Sequence, residues 1–256
     1  AQFTVFRPDK KSSSGFTEIK FSIPRRKVTT ESVKYRISET NEKVGIVSIT
    51  GFDQTTASQF TKAVDALLKS GCEYFVFDVR NNPGGALAAI EAVLSYFLDE
   101  GDLIVSTEMA DGSTDDSYVR ERIYAARYSG YNIKQSEIGK YKGLKSVVIT
   151  NGGSASAAEL FTATFRDYGL APIVGTTTFG KGSMQTTMSF SDGTAFKYTF
   201  RYYCPPFSDN YDGVGIVPDV TVELSEELQN VNIFKIEDSE DNQLAAAYNE
   251  LVKNFQ

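Results

Sequence analysis

The sequence predicts an α/β domain built on a mostly parallel sheet. Three observations carry that prediction. Short, nearly continuous apolar runs occur at 44–49, 74–79 and 147–150, the composition of strands buried on both faces. Segments with helical spacing lie between them. Turns of small residues, at 81–85 and 151–153, lead from strand into helix. Strands alternating with helices imply right-handed crossovers onto parallel neighbours.

Taken in order, residues 1–27 read as two strands. Phe3-Thr4-Val5-Phe6 is followed by a polar turn, and then Ile19, Phe21 and Ile23 alternate with Glu18, Lys20 and Ser22, as a half-buried strand should. A lone hairpin is marginally stable, so this one is expected to pack on a main body or to be the remnant of another module. The main domain is placed at 28–256. Val44 to Ile49 is a strand. Thr56-x-x-Gln59 is a capping-box pattern, opening a helix with Phe60, Val64, Leu67 and Leu68 on one face. Tyr74 to Val79 is a buried strand, and the turn Asn81-Asn82-Pro83-Gly84-Gly85 leads to a helix from Leu87 to Leu98. Leu103-Ile104-Val105 is a further strand. Residues 109–140 are polar and read as a cap over the site, with a helix expected from Tyr118 to Tyr128. Val147 to Thr150 is a strand leading to a helix from Ala155 to Tyr168, stopped by Gly169. Pro172-Ile173-Val174 is another strand. Beyond Lys181 the pattern alternates around the hairpin turn Asp192-Gly193. An amphipathic helix is expected from Asn242 to Phe255.

Composition narrows the function. The chain has 256 residues, 41% hydrophobic and 23% charged, which suits one large soluble domain, or one domain with a small appendage. It starts at Ala1 rather than Met, as in a mature or trimmed form. It holds no run of 18 apolar residues, so no membrane segment is expected. Net charge is −7, and the one dense basic cluster is Arg25-Arg26-Lys27, which sets nucleic acid aside as a partner. Cys72 and Cys204 form no CxxC pair and read as two separate buried thiols. There is no histidine. That removes the Ser-His-Asp triad, Cys-His catalysis and histidine-based zinc sites. A nucleophile here needs another base, and lysine is the usual substitute where burial favours its neutral form.

Three segments could carry chemistry. Asn151-Gly152-Gly153-Ser154-Ala155-Ser156-Ala157-Ala158-Glu159 takes a buried strand into a helix through small residues. Free N–H groups and the helix dipole there favour negative charge; the competing reading is an ordinary N-cap serine. Gly175-Thr176-Thr177-Thr178-Phe179-Gly180-Lys181-Gly182 approaches the P-loop pattern. However, Gly182 stands where Ser or Thr should hold magnesium, and the residues that follow alternate as strands. The competing reading of Lys181 is a solvated loop lysine. Asp78-Val79-Arg80-Asn81-Asn82-Pro83-Gly84-Gly85 can aim backbone N–H groups at a ligand, or is a turn that needs positive φ. All three lie at or just past a buried strand end, where open α/β sheets build their sites.

With these blocks in place, the chain resembles the carboxyl-terminal processing peptidases, or tail-specific proteases, relatives of the tricorn core. The resemblance rests on Asp78-x-Arg80 to Gly85, Ser154-Ala155-Ser156-Ala157-x-Glu159, Thr178-Phe179-Gly180-Lys181-Gly182-x-x-Gln185 and Gly213 to Asp219, and covers roughly 16–222. It implies a crotonase/ClpP-like βαβ core with a β-hairpin extension. It also implies Ser156 rather than Ser154 as nucleophile, Lys181 as general base, and Gln185 orienting the lysine amine. Ala157 and the Gly84-Gly85 turn are implied as the oxyanion hole. The activity implied is endopeptidase cleavage of proteins or peptides in their C-terminal region through an acyl-enzyme, with nonpolar residues near the cut. No cofactor or metal is implied, and the location is extracytoplasmic. Family members carry a PDZ domain before the core, and residues 1–27 resemble its last hairpin alone. Two other readings stay open. One is a catalytically silent ligand-binding module on the same fold, opposed by the joint retention of Ser156, Lys181 and Gln185. The other is a nucleotide site at 175–182, opposed by the strands that follow.

Overall fold

The most apolar strands take the middle of the sheet, and they set the architecture. The computed structural model describes residues 1–26 and 28–255; Lys27, the last member of the basic cluster, lies outside them. The chain divides into two compact units, Ala1–Thr30 and the remainder. In the first, β1 (Gln2–Pro8) and β2 (Phe16–Ser22) pair antiparallel, with Phe3 opposite Phe21 and Val5 opposite Ile19. These four side chains share one face, as the two-residue period requires.

The second unit holds β3 (Val33–Ile37), β4 (Val44–Ile49), α1 (Thr56–Lys69), β5 (Tyr74–Asp78), α2 (Leu87–Ser95), β6 (Leu103–Met109) and β7 (Thr114–Tyr118). These are followed by β8 (Lys145–Thr150), α3 (Ala157–Asp167), β9 (Ile173–Gly175), β10 (Ser183–Ser189), β11 (Ala195–Cys204), β12 (Val220–Thr221) and α4 (Asn242–Phe255). Six strands form the central sheet in the order β12-β9-β8-β5-β4-β3. Every neighbouring pair is parallel except β3 with β4. A second, antiparallel sheet runs β10-β11-β6-β7.

Alternation along the central strands feeds two cores. Phe75, Phe77 and Val148 face α1, α2 and α3, while Val76, Val147 and Ile149 face α4. Phe77 is fully buried, with ring centroids 5.6 Å from Phe60, 5.5 Å from Phe97 and 5.7 Å from Phe165. Truncating such a side chain to Ala costs about 3–5 kcal/mol.

Several local expectations are corrected. Residues 118–128 form no α-helix. Thr114–Tyr118 is a strand because β6 offers it an antiparallel edge, and a 3₁₀ turn, Ala126–Tyr131, follows. Leu103–Val105 is a strand, as expected, and belongs to β6 in the antiparallel sheet. The helix after the Gly-Gly turn ends at Ser95, three residues short of Leu98. Thr56 is the first helical residue rather than the cap, which is Thr55, and Leu68 is exposed. Cys72 is buried but Cys204 only partly so, and both are free thiols. Among the described residues no helix is long and apolar enough to cross a membrane.

Candidate active site

Two parallel neighbours, β5 and β8, end side by side, and the turns that leave them are stitched together. Asn151 accepts the Asn81 N–H through Oδ1 at 2.8 Å and donates from Nδ2 to the Asn81 side chain at 3.0 Å. Asn82 is fully buried. It donates to the Ile49 carbonyl and accepts the Gly84 N–H, both at 2.8 Å, and its own carbonyl accepts the Ala155 N–H. Sheet order thus brings together two segments that lie some 70 residues apart in the chain.

The two serines of the second turn behave differently. Ser154 is fully buried, and its hydroxyl donates to the Val79 carbonyl at 2.7 Å while accepting the Asn151 N–H at 3.0 Å. Ser156 sits at φ +57°, ψ −116°, a conformation costly for any side chain except glycine. It is the N-cap of α3, in a capping box with Glu159, but no cap hydrogen bond is made by its hydroxyl. The N–H groups of Glu159 and Leu160 both reach the Ser156 carbonyl, and that of Ala158 reaches Ala155. A strained serine between a buried strand and a helix is the arrangement that presents a nucleophile at a sheet edge.

Two tyrosines flank it. Burial pushes the Tyr203 phenol up, and a hydrogen bond with the Ser156 side chain pulls the other way. Burial, with the charge of Glu159 behind it, holds the Tyr211 phenol well above the usual tyrosine range. It therefore stays protonated, and donates to the Ser156 carbonyl at 3.4 Å.

Gly84 and Gly85 meet this turn in different ways. Gly84 has φ +95°, and a Cβ there would lie 2.7 Å from the Ser156 Cβ and 2.9 Å from the Ala157 nitrogen. Its N–H is committed to Asn82. Gly85 lies against Phe52, where a Cβ would come within 2.0 Å of the Phe52 carbonyl oxygen. The N–H groups of Gly85 and Ala157 make no hydrogen bond among the described residues.

Lys181 is brought to the same place by Glu159, a fully buried carboxylate. Its Oε2 accepts the N–H of Ser156 at 2.9 Å and that of Lys181 at 2.7 Å. Its Oε1 accepts the Thr178 hydroxyl and the Gly180 N–H, both at 2.6 Å. One side chain therefore fixes the backbone of both residues. The Lys181 amine makes no hydrogen bond or ion pair among the described residues, with Ser156 or otherwise. Gln185 is nearby on β10, but its amide donates to Ser183 at 3.0 Å and Thr199 at 3.3 Å rather than receiving the lysine. Sequence reasoning gave Glu159 no role, although Ser156-x-x-Glu159 fits the capping-box spacing.

A cavity of about 780 Å³ is lined from α2, β6, β7, β10 and β11, and not by Ser156, Lys181 or Gln185. Leu87, Val105, Met184 and Phe200 line it beside the charged Arg201 and beside Arg120 and Glu121 from the 109–140 segment. That segment is tied to α2 by Arg122, which pairs with the buried Glu91. A strained serine, a lysine on a shared clamp and two free N–H groups are the components of acyl transfer.

Comparison with known proteins gives a family. Residues 43–222 match the model of peptidase family S41. The chain is 33% identical over 233 residues to a probable CtpA-like serine protease of Staphylococcus aureus strain N315, covering 89% of this chain and 43% of the relative. It is 32% identical over 220 residues to the counterpart in Staphylococcus epidermidis, covering 86% and 41%. The chain thus spans less than half the length of these curated relatives. Among solved structures, the photosystem II D1 C-terminal processing protease superimposes with a TM-score of 0.62 at 26% identity, over 87% of this chain and 56% of that one. A Bacteroides fragilis protein assigned to the S41 proteases gives 0.66 at 18% identity over 100% of this chain and 67% of that one, a likeness of fold.

Proposed function

The chain belongs to peptidase family S41, and from that premise we propose that it is a serine endopeptidase working through a Ser156–Lys181 dyad. Ser156 Oγ attacks the scissile carbonyl, and the Lys181 amine acts as the base that takes its proton and passes it to the leaving amine. Water then hydrolyses the acyl-enzyme by the same route in reverse. The developing oxyanion accepts from the N–H groups of Ala157 and Gly85, each supplying about 3–4 kcal/mol. The Gly84 N–H is already donated to Asn82, so Gly84 contributes by lacking a side chain beside Ser156.

The observation that carries this reading is Glu159, which binds the backbone of Ser156 and Lys181 through one oxygen. A P-loop or a solvated lysine loop has no need of such a clamp. Gln185 is assigned to orient the lysine amine when substrate is bound. Catalytic hydrogen bonds are often long or absent in unliganded sites. A preference for nonpolar residues near the cut is carried over from the family. Cleavage in the C-terminal region of proteins, an extracytoplasmic location, and 1–27 as the end of a PDZ-like module followed by a core at 28–256 are carried over from the family.

One observation favours a silent ligand-binding module instead, namely the engagement of Gln185 with Ser183 and Thr199. A fluorophosphonate probe separates the two. It is expected to label Ser156, and to fail on Ser156→Ala and Lys181→Ala. Folded protein that takes no label and leaves an unfolded protein substrate intact would end the peptidase reading.

A further inference from the structure

A buried ion cluster lies on the α4 side of the central sheet, directly below the Gly84–Gly85 turn in sequence. At its centre is Arg80, 4% exposed. Its five N–H donors are all used. Nε and Nη2 reach the two oxygens of Asp78 at 3.0 and 2.8 Å. Nη1 and Nη2 reach those of Asp241 at 3.2 and 2.8 Å. Nη1 also reaches Gln243 Oε1 at 3.0 Å. Burial works against the guanidinium charge, but the two carboxylates outweigh it and hold the charge more firmly than in water.

Asp241 and Gln243 stand at the start of α4, some 160 residues further along the chain. Asp241 caps that helix by accepting the N–H groups of Gln243 and Leu244. Gln243 also donates to the Val222 carbonyl at 2.7 Å. Arg80 is therefore gripped by Asp78, the last residue of the preceding strand, and by the start of a helix that packs on the sheet. Asn81, Asn82, Gly84 and Gly85 follow it, and Asn81, Gly84 and Gly85 hold positive φ. Asn81 is strained at positive φ, whereas Gly84 and Gly85 take it freely and leave the turn loose, so its shape depends on fixed ends.

We propose that Asp241 and Gln243 are positioning residues, through which α4 holds the oxyanion turn in register with Ser156. They lie outside the family-matched span of 43–222. Their effect on the reaction rests on the reading of Gly85 and Ala157 as oxyanion donors. Their effect on the turn does not.

The test uses Asp241→Asn and Gln243→Ala, with Lys253→Ala, on the exposed side of α4, as control. Two quantities are read in the folded protein: amide hydrogen exchange over 80–86, and peptide cleavage with fluorophosphonate labelling. For Asp241→Asn, exchange in the turn accelerates while that of β5 does not. The kcat and the labelling rate fall together by about 10- to 100-fold, the scale of a misplaced catalytic group, and KM stays close to the parent value. Gln243→Ala shows the same signature more weakly, and Lys253→Ala shows neither effect. Should Asp241→Asn fail to fold, Gln243→Ala, which leaves every charge in place, decides by the same two readings. Unchanged exchange across 80–86, or faster exchange with unchanged kcat, overturns the proposal. A parent protein that neither labels nor cleaves defeats the peptidase reading, and exchange alone then decides whether α4 anchors the turn.

Discussion

The turns that leave β5 and β8 solve the same problem with different residues. Each must break from a buried parallel strand, change direction at the sheet edge and start a helix, and each uses positive φ to do so. After β5 most of that conformation falls on glycine, at Gly84 and Gly85; after β8 it falls on Ser156. Glycine relaxes there at little cost, whereas a side chain stores strain of about 1–3 kcal/mol. The difference separates a turn that supplies backbone from one that presents a side chain. Strain that glycine would remove is retained at a serine, which is the position proposed above for the nucleophile.

The sharpest way to break this comparison is to make the second turn like the first. Ser156→Gly is expected to abolish labelling and lower kcat by about 10⁴-fold or more, the scale of losing a nucleophile. It should also raise stability by about 1 kcal/mol as the strain is released. Ser156→Ala loses activity equally and keeps the strain. If chemical denaturation finds the Gly variant no more stable than the Ala variant, the strain argument is wrong. The next largest effect is at the clamp. Glu159→Gln places an amide where four donors converge and should cost about 3 kcal/mol by denaturant titration. Labelling of the fraction that stays folded should slow as well; an unaltered rate would detach Glu159 from the dyad.

Gly84→Ala tests the converse substitution. A methyl group would stand 2.7 Å from the Ser156 Cβ at a φ of +95°, so a loss of about 2–3 kcal/mol is expected. Activity should fall with it, because the methyl displaces the nucleophile; retained kcat in the folded variant would show that the turn yields. The smallest effect belongs to Ser154→Ala. It removes two buried hydrogen bonds for about 1–2 kcal/mol but leaves labelling at Ser156 intact. A Ser154 variant that folds and no longer labels would reverse the roles assigned to the two serines.

Most of the central sheet was legible because strands buried on both faces read as continuous apolar runs, as at Tyr74–Asp78 and Lys145–Thr150. The 114–118 strand was not legible. Its residues are polar, and only the partner edge of β6 makes it a strand. The 151–159 turn, the Lys181 loop and the glycine turn could be marked as candidates from local motifs, whereas Ser156 was preferred to Ser154 only through the family resemblance. Local spacing could not show that the Gly84 N–H belongs to Asn82, nor that Gln185 faces Ser183 and Thr199, since those are matters of side-chain direction. Glu159 carried a readable signal, the S-x-x-E pattern, whose capping meaning masked its reach to Lys181. The Arg80–Asp241 pair was invisible, because 161 residues separate its members and neither stands in a periodic pattern.

Those two anchors differ in one further respect, the order in which the chain can assemble them. The Glu159 clamp closes a loop of about twenty residues, whereas the Arg80–Asp241 contact closes one of 161. Loop closure grows costlier with length, and long-range contacts form late. During refolding the serine and lysine segments should meet first, and the turn beside them should lock only when α4 docks. A refolding chain would then pass through a stage with Ser156 and Lys181 already together and the Gly84–Gly85 turn not yet fixed.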